Sequence, residues 1–210
     1  MSNAQYIHFG CGLSAPTTWR NFDISPTMRL QRLPAIGRLL QKKRFPTFPE
    51  NIEYGDITRG LPVPPNSCKA IYCSHVLEHL ALDDLRGSLR HIHRYLAPGG
   101  IFRLVLPDLE QLAQDYLTSS APNANSQFML ATGLGRTSRS HRPEQLAREW
   151  FGGSHHDWLW DEKGLTAELT AAGFLDIRRA TIGDSTELRF ADVEDQGRWG
   201  HATLGMECHK

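Results

Sequence analysis

Short apolar runs alternate along this chain with longer stretches of helical spacing. Residues 5–9 (QYIHF) are brief, apolar and β-prone and run into Gly10-Cys11-Gly12, the pattern of a strand entering a glycine loop. Residues 20–24 (RNFDI) predict a second strand ending near Asp23. Residues 52–54 predict a third, followed by Gly55-Asp56, and residues 69–73 (KAIYC) a fourth. Leu85, Leu89, Ile92 and Leu96 then recur at helical spacing, which predicts a helix capped by Asp83 or Asp84 and stopped by Pro98-Gly99-Gly100. Residues 101–106 (IFRLVL), apolar apart from Arg103, predict a central parallel strand. A helix over 109–117, another over 162–172 ended by Gly173, and two closing strands at 174–182 and 201–208 complete the pattern. Strands alternating with helices predict an α/β fold with helices on both faces of the sheet.

Two stretches depart from this alternation. Residues 26–50 are basic and punctuated by Pro26, Pro34, Pro46 and Pro49, with short helices expected around 27–33 and 35–43. Residues 119–153 are rich in Ser, Asn, Gly and Arg, with helical signal only around 143–151. The expected organisation is one domain over 1–210, with a basic insertion at about 26–50 and a lid-like segment at about 119–160.

Composition narrows the function classes. The 23 basic and 23 acidic residues cancel, so no overall field directs the chain to nucleic acid or membrane. The basic segment 29–45 offers at most a peripheral membrane contact, and a solvated face is the commoner reading of such a stretch. Four cysteines (Cys11, Cys68, Cys73 and Cys208) form no disulfide framework. With no signal-peptide pattern and no apolar run of spanning length, a cytoplasmic location is expected.

Open parallel sheets bind ligands beyond the carboxyl ends of their strands, which turns attention to the glycine loop and the acids after it. Residues 10–15 match G-x-G-x-x-A, but a dinucleotide site wants a helix next and an acid about 20 residues on. Asp23 comes eleven residues after Gly12, and Pro16 interrupts the segment. The spacing keeps an acid suited to a ribose diol without a pyrophosphate cradle, which favours a nucleoside such as S-adenosylmethionine. Asp56 stands in the same relation to the third strand and can accept from an adenine amino group, with Ile57 or Ile24 packed on the ring. Both acids also suit turns or caps, a reading about as common for either alone.

The stretches HFGCG (8–12), WRNFDIS (19–25), YGDIT (54–58), LPVPPNSCKAIYCSHVLEHL (61–80), LRHIHRYLAPGGIFRLVLPDLE (89–110) and WDEKGLTAELTAAGF (160–174) together resemble the class I S-adenosylmethionine-dependent methyltransferases, of the small type 11-like group. The resemblance implies a Rossmann-like, doubly wound sheet of seven strands, mostly parallel with an antiparallel last strand supplied by ATLGMECHK. It implies S-adenosyl-L-methionine as cofactor and S-adenosyl-L-homocysteine as product. It implies Gly10, Cys11 and Gly12 against the methionyl part, Asp23 on the ribose, Asp56 and Ile57 at the adenine, and Ser74 and His75 lining the cofactor. The acceptor is expected to be a small molecule, sugar or lipid-linked intermediate, and the oligomeric state is left open. A module that binds the nucleoside without catalysis is the alternative, separated from an enzyme by turnover.

The chemistry of transfer is in-line displacement, and a hydroxyl acceptor also needs a base. Candidates are His156 and His155, in Ser154-His155-His156-Asp157-Trp158, Asp108 after the fifth strand, and His75. The competing reading makes His156 or Asp157 a helix cap and Trp158 and Trp160 core. One further pattern, His75-x-x-Glu78-His79, is that of a zinc peptidase helix. Here it follows a strand and precedes the expected helix cap, so no metal is expected and a zinc hydrolase is a remote alternative.

Overall fold

The computed structural model describes residues 5–33, 47–135 and 155–210. Its strands are β1 (Gln5–Phe9), β2 (Arg20–Asp23), β3 (Ile52–Tyr54), β4 (Cys68–Ser74), β5 (Leu96–Pro107), β6 (Leu175–Ala180) and β7 (Thr203–His209). The described helices are α1 (Pro26–Gln31), α2 (Leu82–Tyr95), α3 (Leu109–Thr118), α4 (Ala124–Ala131) and α5 (Glu162–Ala171).

The strands form one sheet in the order β3-β2-β1-β4-β5-β7-β6. Pairing is parallel from β3 through β5, and β7 runs antiparallel to both β5 and β6. The expected seven-stranded plan is therefore present. Strand order reverses at β1, where the chain builds first toward β2 and β3 and later toward β4 and β5. A crevice opens at such a reversal, beyond the carboxyl ends of the strands.

Alternation along each strand sends neighbours to opposite faces. Ile7, Phe9, Ile71 and Cys73 face α2 and α5 and pack with Leu85, Leu89, Ile92, Leu165 and Leu169 in the main core. Tyr6, Tyr72 and Val105 face the other way, under Phe190, Val193 and Trp199 of a stretch with two 3-10 turns. Burying each large aliphatic side chain contributes about 1.5–3 kcal/mol, so the 85/89/92 stripe of α2 is sufficient to fix that helix on the sheet.

Arg103 is the exception to the apolar pattern of β5. It is wholly buried, and its guanidinium donates to Glu194 at 2.6 Å, Glu207 at 2.8 Å, Asp184 at 2.9 Å and the Thr181 carbonyl at 2.6 Å. One buried cation thereby ties β5, β7 and the covering stretch together.

Several boundaries differ from expectation. The N-cap of α2 is Ala81, so Asp83 and Asp84 sit in the first turn, where they complement the helix dipole instead of capping it. Strand β5 begins at Leu96, and Pro98-Gly99-Gly100 lies within it rather than ending the helix. A Cβ on Gly100 would meet the Ala97 and Cys68 carbonyl oxygens at 2.9 Å, so this close approach needs glycine. The stretch expected to be least regular contains α4, held to α3 by Tyr116 against Phe128 at 5.3 Å. Ala, Gln, Met and Leu dominate it, all good helix formers that a reading of its polar flanks obscured. The expected helices at 35–43 and 143–151 lie outside the described residues. So does most of the basic segment. Within it, Arg29 stacks on Tyr54 at 4.7 Å and Arg32 donates to the Ile52 carbonyl, so these two side chains fold back onto β3.

Candidate active site

The loop after β1 is shaped by two glycines in the left-handed region, Gly10 at φ 63° and Gly12 at φ 56°. A Cβ on Gly10 would come within 2.2 Å of Val76 Cγ2, so the loop lies directly on the exit of β4. Gly12 has nothing within 4 Å of its missing Cβ, which leaves its outer side open to a ligand. Cys11 between them is buried, and burial together with the Asp23 charge raises its thiol pKa to about 12. It packs against Met28 and Ile52 as a small apolar group, and offers the ligand backbone rather than thiolate.

Asp23 ends β2 beside this loop. One carboxylate oxygen accepts the Gly12 N–H at 2.8 Å and the other the Ser25 N–H at 2.7 Å. Each oxygen has two acceptor positions, so the carboxylate is oriented by the backbone with capacity left for a diol. Ile24 follows with 54% of its surface exposed, a free apolar wall at the same mouth.

Asp56 is more committed. Its Oδ1 accepts from the Thr58 amide at 3.0 Å and hydroxyl at 2.7 Å, and Arg59 lies 3.5 Å from Oδ2. It organises the turn after β3 while its second oxygen faces Arg59. The Ile57 side chain lies in the main core, so of the two isoleucines only Ile24 presents a face to a ring.

Ser74 and His75 close the crevice from β4. The Ser74 hydroxyl is buried beside the Tyr72 hydroxyl and keeps capacity for a further partner. His75 holds φ 54°, unusual for a residue with a side chain, and its amide donates to the Val105 carbonyl at 2.8 Å. Strain of this kind concentrates at functional sites.

The residues fit the nucleoside cofactor implied by the sequence: an open glycine, an oriented carboxylate, an exposed aliphatic wall and a buried hydroxyl stand at the carboxyl ends of β1, β2 and β4. A separate cleft of about 870 Å³ lined by Gln5, Trp19, Arg20 and Arg189 opens at the amino-terminal ends of β1 and β2, remote from these groups.

Asp108 is placed differently from expectation. It is buried, its Oδ1 caps α3 by accepting the Glu110 and Gln111 amides, and its Oδ2 is paired with Arg179. A carboxylate held by a cap and an ion pair is a structural anchor rather than a free base. The cap of α5 is Asp161, which accepts the Gly164 amide at 2.7 Å, so neither His156 nor Asp157 has that task. Trp160 is core, whereas Trp158 is 42% exposed beside it.

Sequence reasoning missed the meeting of 75–79 with 155–158. Residues Leu77–His79 form a 3-10 turn, not the helix of a zinc peptidase. The amides of Asp157 and Trp158 donate to the Glu78 carbonyl at 2.8 and 3.1 Å, which staples the two stretches. Glu78, His79 and His156 converge, one donor atom of each lying within 4.8 Å of the others. His75 joins them through Nδ1, 3.1 Å from Glu78 Oε1. The only signal in the sequence was the surplus of histidine at both places.

Comparison with known proteins follows this geometry. Residues 7–104 match the model of a methyltransferase domain. A methyltransferase structure from Archaeoglobus fulgidus is similar with TM-score 0.54 at 15% identity, over 98% of this chain and 86% of the other. An S-adenosylmethionine-dependent methyltransferase from Mesorhizobium loti gives 0.51 at 16%, over 98% and 90%. A phosphoethanolamine N-methyltransferase from Haemonchus contortus, in complex with S-adenosyl-L-methionine, gives 0.51 at 14%, over 100% of this chain and 49% of that one. No curated protein matches the chain. At these identities the structures speak for the fold; the matched domain model, which spans residues 7–104, joins the glycine loop and the Asp23 carboxylate in supporting a class I S-adenosylmethionine-dependent methyltransferase.

Proposed function

We propose that the chain transfers a methyl group from S-adenosylmethionine to a small-molecule, sugar or lipid-linked acceptor. The observation that carries the cofactor assignment is the Asp23 carboxylate, fixed by the Gly12 amide at the mouth of the β1 loop. Gly10, Cys11 and Gly12 would hold the methionyl part, Asp23 the ribose, Ile24 and Asp56 the adenine with the Ile57 backbone, and Ser74 and His75 the wall toward the acceptor.

When bound, the cofactor supplies a sulfonium-activated methyl group for in-line displacement. The chain's own residues then align the acceptor and exclude water. On that side stand His156 and His155, carried by the stretch stapled to the exit of β4. The balanced net charge supports an acceptor other than nucleic acid. A lid over roughly 119–160 is supported by the contact of Thr132, at the end of α4, with His156. A cytoplasmic setting is supported by four free, buried cysteines, and among the described residues no helix is long and apolar enough to cross a membrane.

The test is calorimetric titration with S-adenosylmethionine, S-adenosylhomocysteine and NAD, followed by turnover against a panel of hydroxyl, amine and carboxyl acceptors. Binding of NAD alone would refute the assignment. His155→Ala and His156→Ala variants that both keep full turnover would remove these residues from the acceptor side.

A further inference from the structure

The stretch 75–79 and His156 carry an arrangement that cofactor binding does not use. Glu78 is fully buried, and its Oε2 has no protein partner. A buried carboxylate without full compensation is costly and calls for a cation or donor.

Its two histidine neighbours are oriented from behind. His79 Nδ1 lies 2.7 Å from the His155 carbonyl, and His156 Nδ1 lies 2.7 Å from the Thr132 carbonyl. A carbonyl only accepts, so each ring donates from Nδ1, and Nε2 is the nitrogen left to face a cation. Backbone carbonyls hold metal-binding imidazoles in this way.

His156 Nε2 faces Glu78 Oε1 at 3.9 Å. The carboxylate and the imidazole nitrogen are held together by a cation between them, a proton on the ring or a metal ion, and the separation is longer than a hydrogen bond. Donors about 2.0–2.2 Å from a tetrahedral ion lie roughly 3.3–3.6 Å apart. The three donor atoms lie within 4.8 Å of one another, so side-chain adjustments of about 1 Å would bring them to an ion.

The surroundings accommodate this arrangement. A Cβ on Gly133 would lie 2.5 Å from His156 Nδ1, so glycine at φ 68° makes room for the ring. The His79 and His156 rings meet edge to face at 4.9 Å.

We propose that Glu78, His79 and His156 bind a first-row divalent transition ion of the zinc class. Two imidazoles and one carboxylate suit such an ion better than magnesium or calcium, which prefer oxygen alone. Three protein ligands leave a coordination position open. That position would be free to take an oxygen of the acceptor. This last step rests on the acceptor-side assignment of His156; the metal site itself does not.

The test uses the full chain freed of metal with EDTA and dialysed, titrated with zinc chloride and with cobalt(II) chloride by calorimetry and visible absorption. One ion per chain is expected, with micromolar or tighter binding and cobalt d–d bands. His79→Gln, Glu78→Gln and His156→Gln are each expected to weaken binding at least roughly tenfold, while His201→Gln binds as wild type. Cobalt-loaded wild type should also show two hyperfine-shifted exchangeable ring N–H signals in proton NMR, a readout that needs no variant. No uptake by wild type at about 100 µM metal, absence of those signals, or unchanged affinity in both His79→Gln and His156→Gln overturns the proposal. Titration of the same sample with S-adenosylmethionine reads the cofactor site separately, so failure at one site is distinguishable from failure at the other.

Discussion

Asp23 and Gly12 are joined by a 2.8 Å hydrogen bond from the glycine amide to the carboxylate, across the gap between the ends of β1 and β2. The bond makes one group serve two purposes. It shapes the loop, and it aims the carboxylate at the crevice.

Asp23→Ala should therefore weaken S-adenosylmethionine binding by roughly ten- to hundred-fold, the loss of about 1.5–3 kcal/mol from a charge-assisted hydrogen bond. Asp23→Asn should lose nearly as much, because half of its amide is a donor facing backbone donors. Calorimetric titration with the cofactor measures both; a loss under about threefold in each would count against the role.

Gly10→Ala brings a methyl group onto Val76 at 2.2 Å, in a backbone conformation that costs an L-residue about 1–2 kcal/mol. Destabilisation of about 2–4 kcal/mol is expected. Adding Val76→Ala should recover the clash but not the conformational strain, giving a coupling of about 1 kcal/mol or more in a double-mutant cycle by urea denaturation. Gly12→Ala should cost only the strain in stability, yet weaken the cofactor by filling open space.

Much of this was legible from sequence, for reasons that can be named. β1, β4 and β5 announce themselves because buried parallel strands are rich in apolar residues, and Asp23 because strand-end acids keep a fixed relation to the glycines. What was not legible depends on partners far along the chain. Asp108 looked like a free acid because Arg179, 71 positions away, could not be paired with it beforehand. His75, Glu78 and His79 looked like an accident because nothing local says that His156 meets them.

Arg103→Met leaves Glu194 buried without its cation and Glu207 with Arg178 alone, and should destabilise the fold by about 3–5 kcal/mol. The same network makes stability acid-sensitive through Asp184. Burial alone would raise its pKa, but hydrogen bonds from Arg178, the Thr181 amide and Arg103 outweigh that and hold the carboxyl well below its usual value. A depressed acid contributes stability that is complete above the unfolded pKa of about 3.9 and is lost as pH falls below it. Asp184→Asn should show a flatter loss of thermal stability below about pH 4.

His8 predicts a second acid-sensitive step at higher pH. Burial and the Arg198 charge lower its pKa to about 4, against an opposing hydrogen bond to Asn21. The ring stays neutral in the fold while the unfolded chain binds a proton near pH 6.5. Stability is then full above about pH 6.5 and falls toward pH 4, by about 3 kcal/mol over the window. His8→Phe keeps a ring beside Tyr72 and should flatten the midpoint-versus-pH curve there. An unchanged curve would show that His8 is not the titrating group.

The position of β7 between β5 and β6 has a consequence for synthesis. Residues 203–209 emerge from the ribosome after the other described strands, yet they pair with β5 from Ile101 to Pro107. Until then the nascent protein carries a long apolar edge with its amides and carbonyls unpaired, and β6 has no neighbour in the sheet. Such an edge is a template for association with other chains. The interval before the last strand docks is when this protein most needs a chaperone or dilute surroundings, and slowing translation just before residue 203 should lower the yield of folded protein.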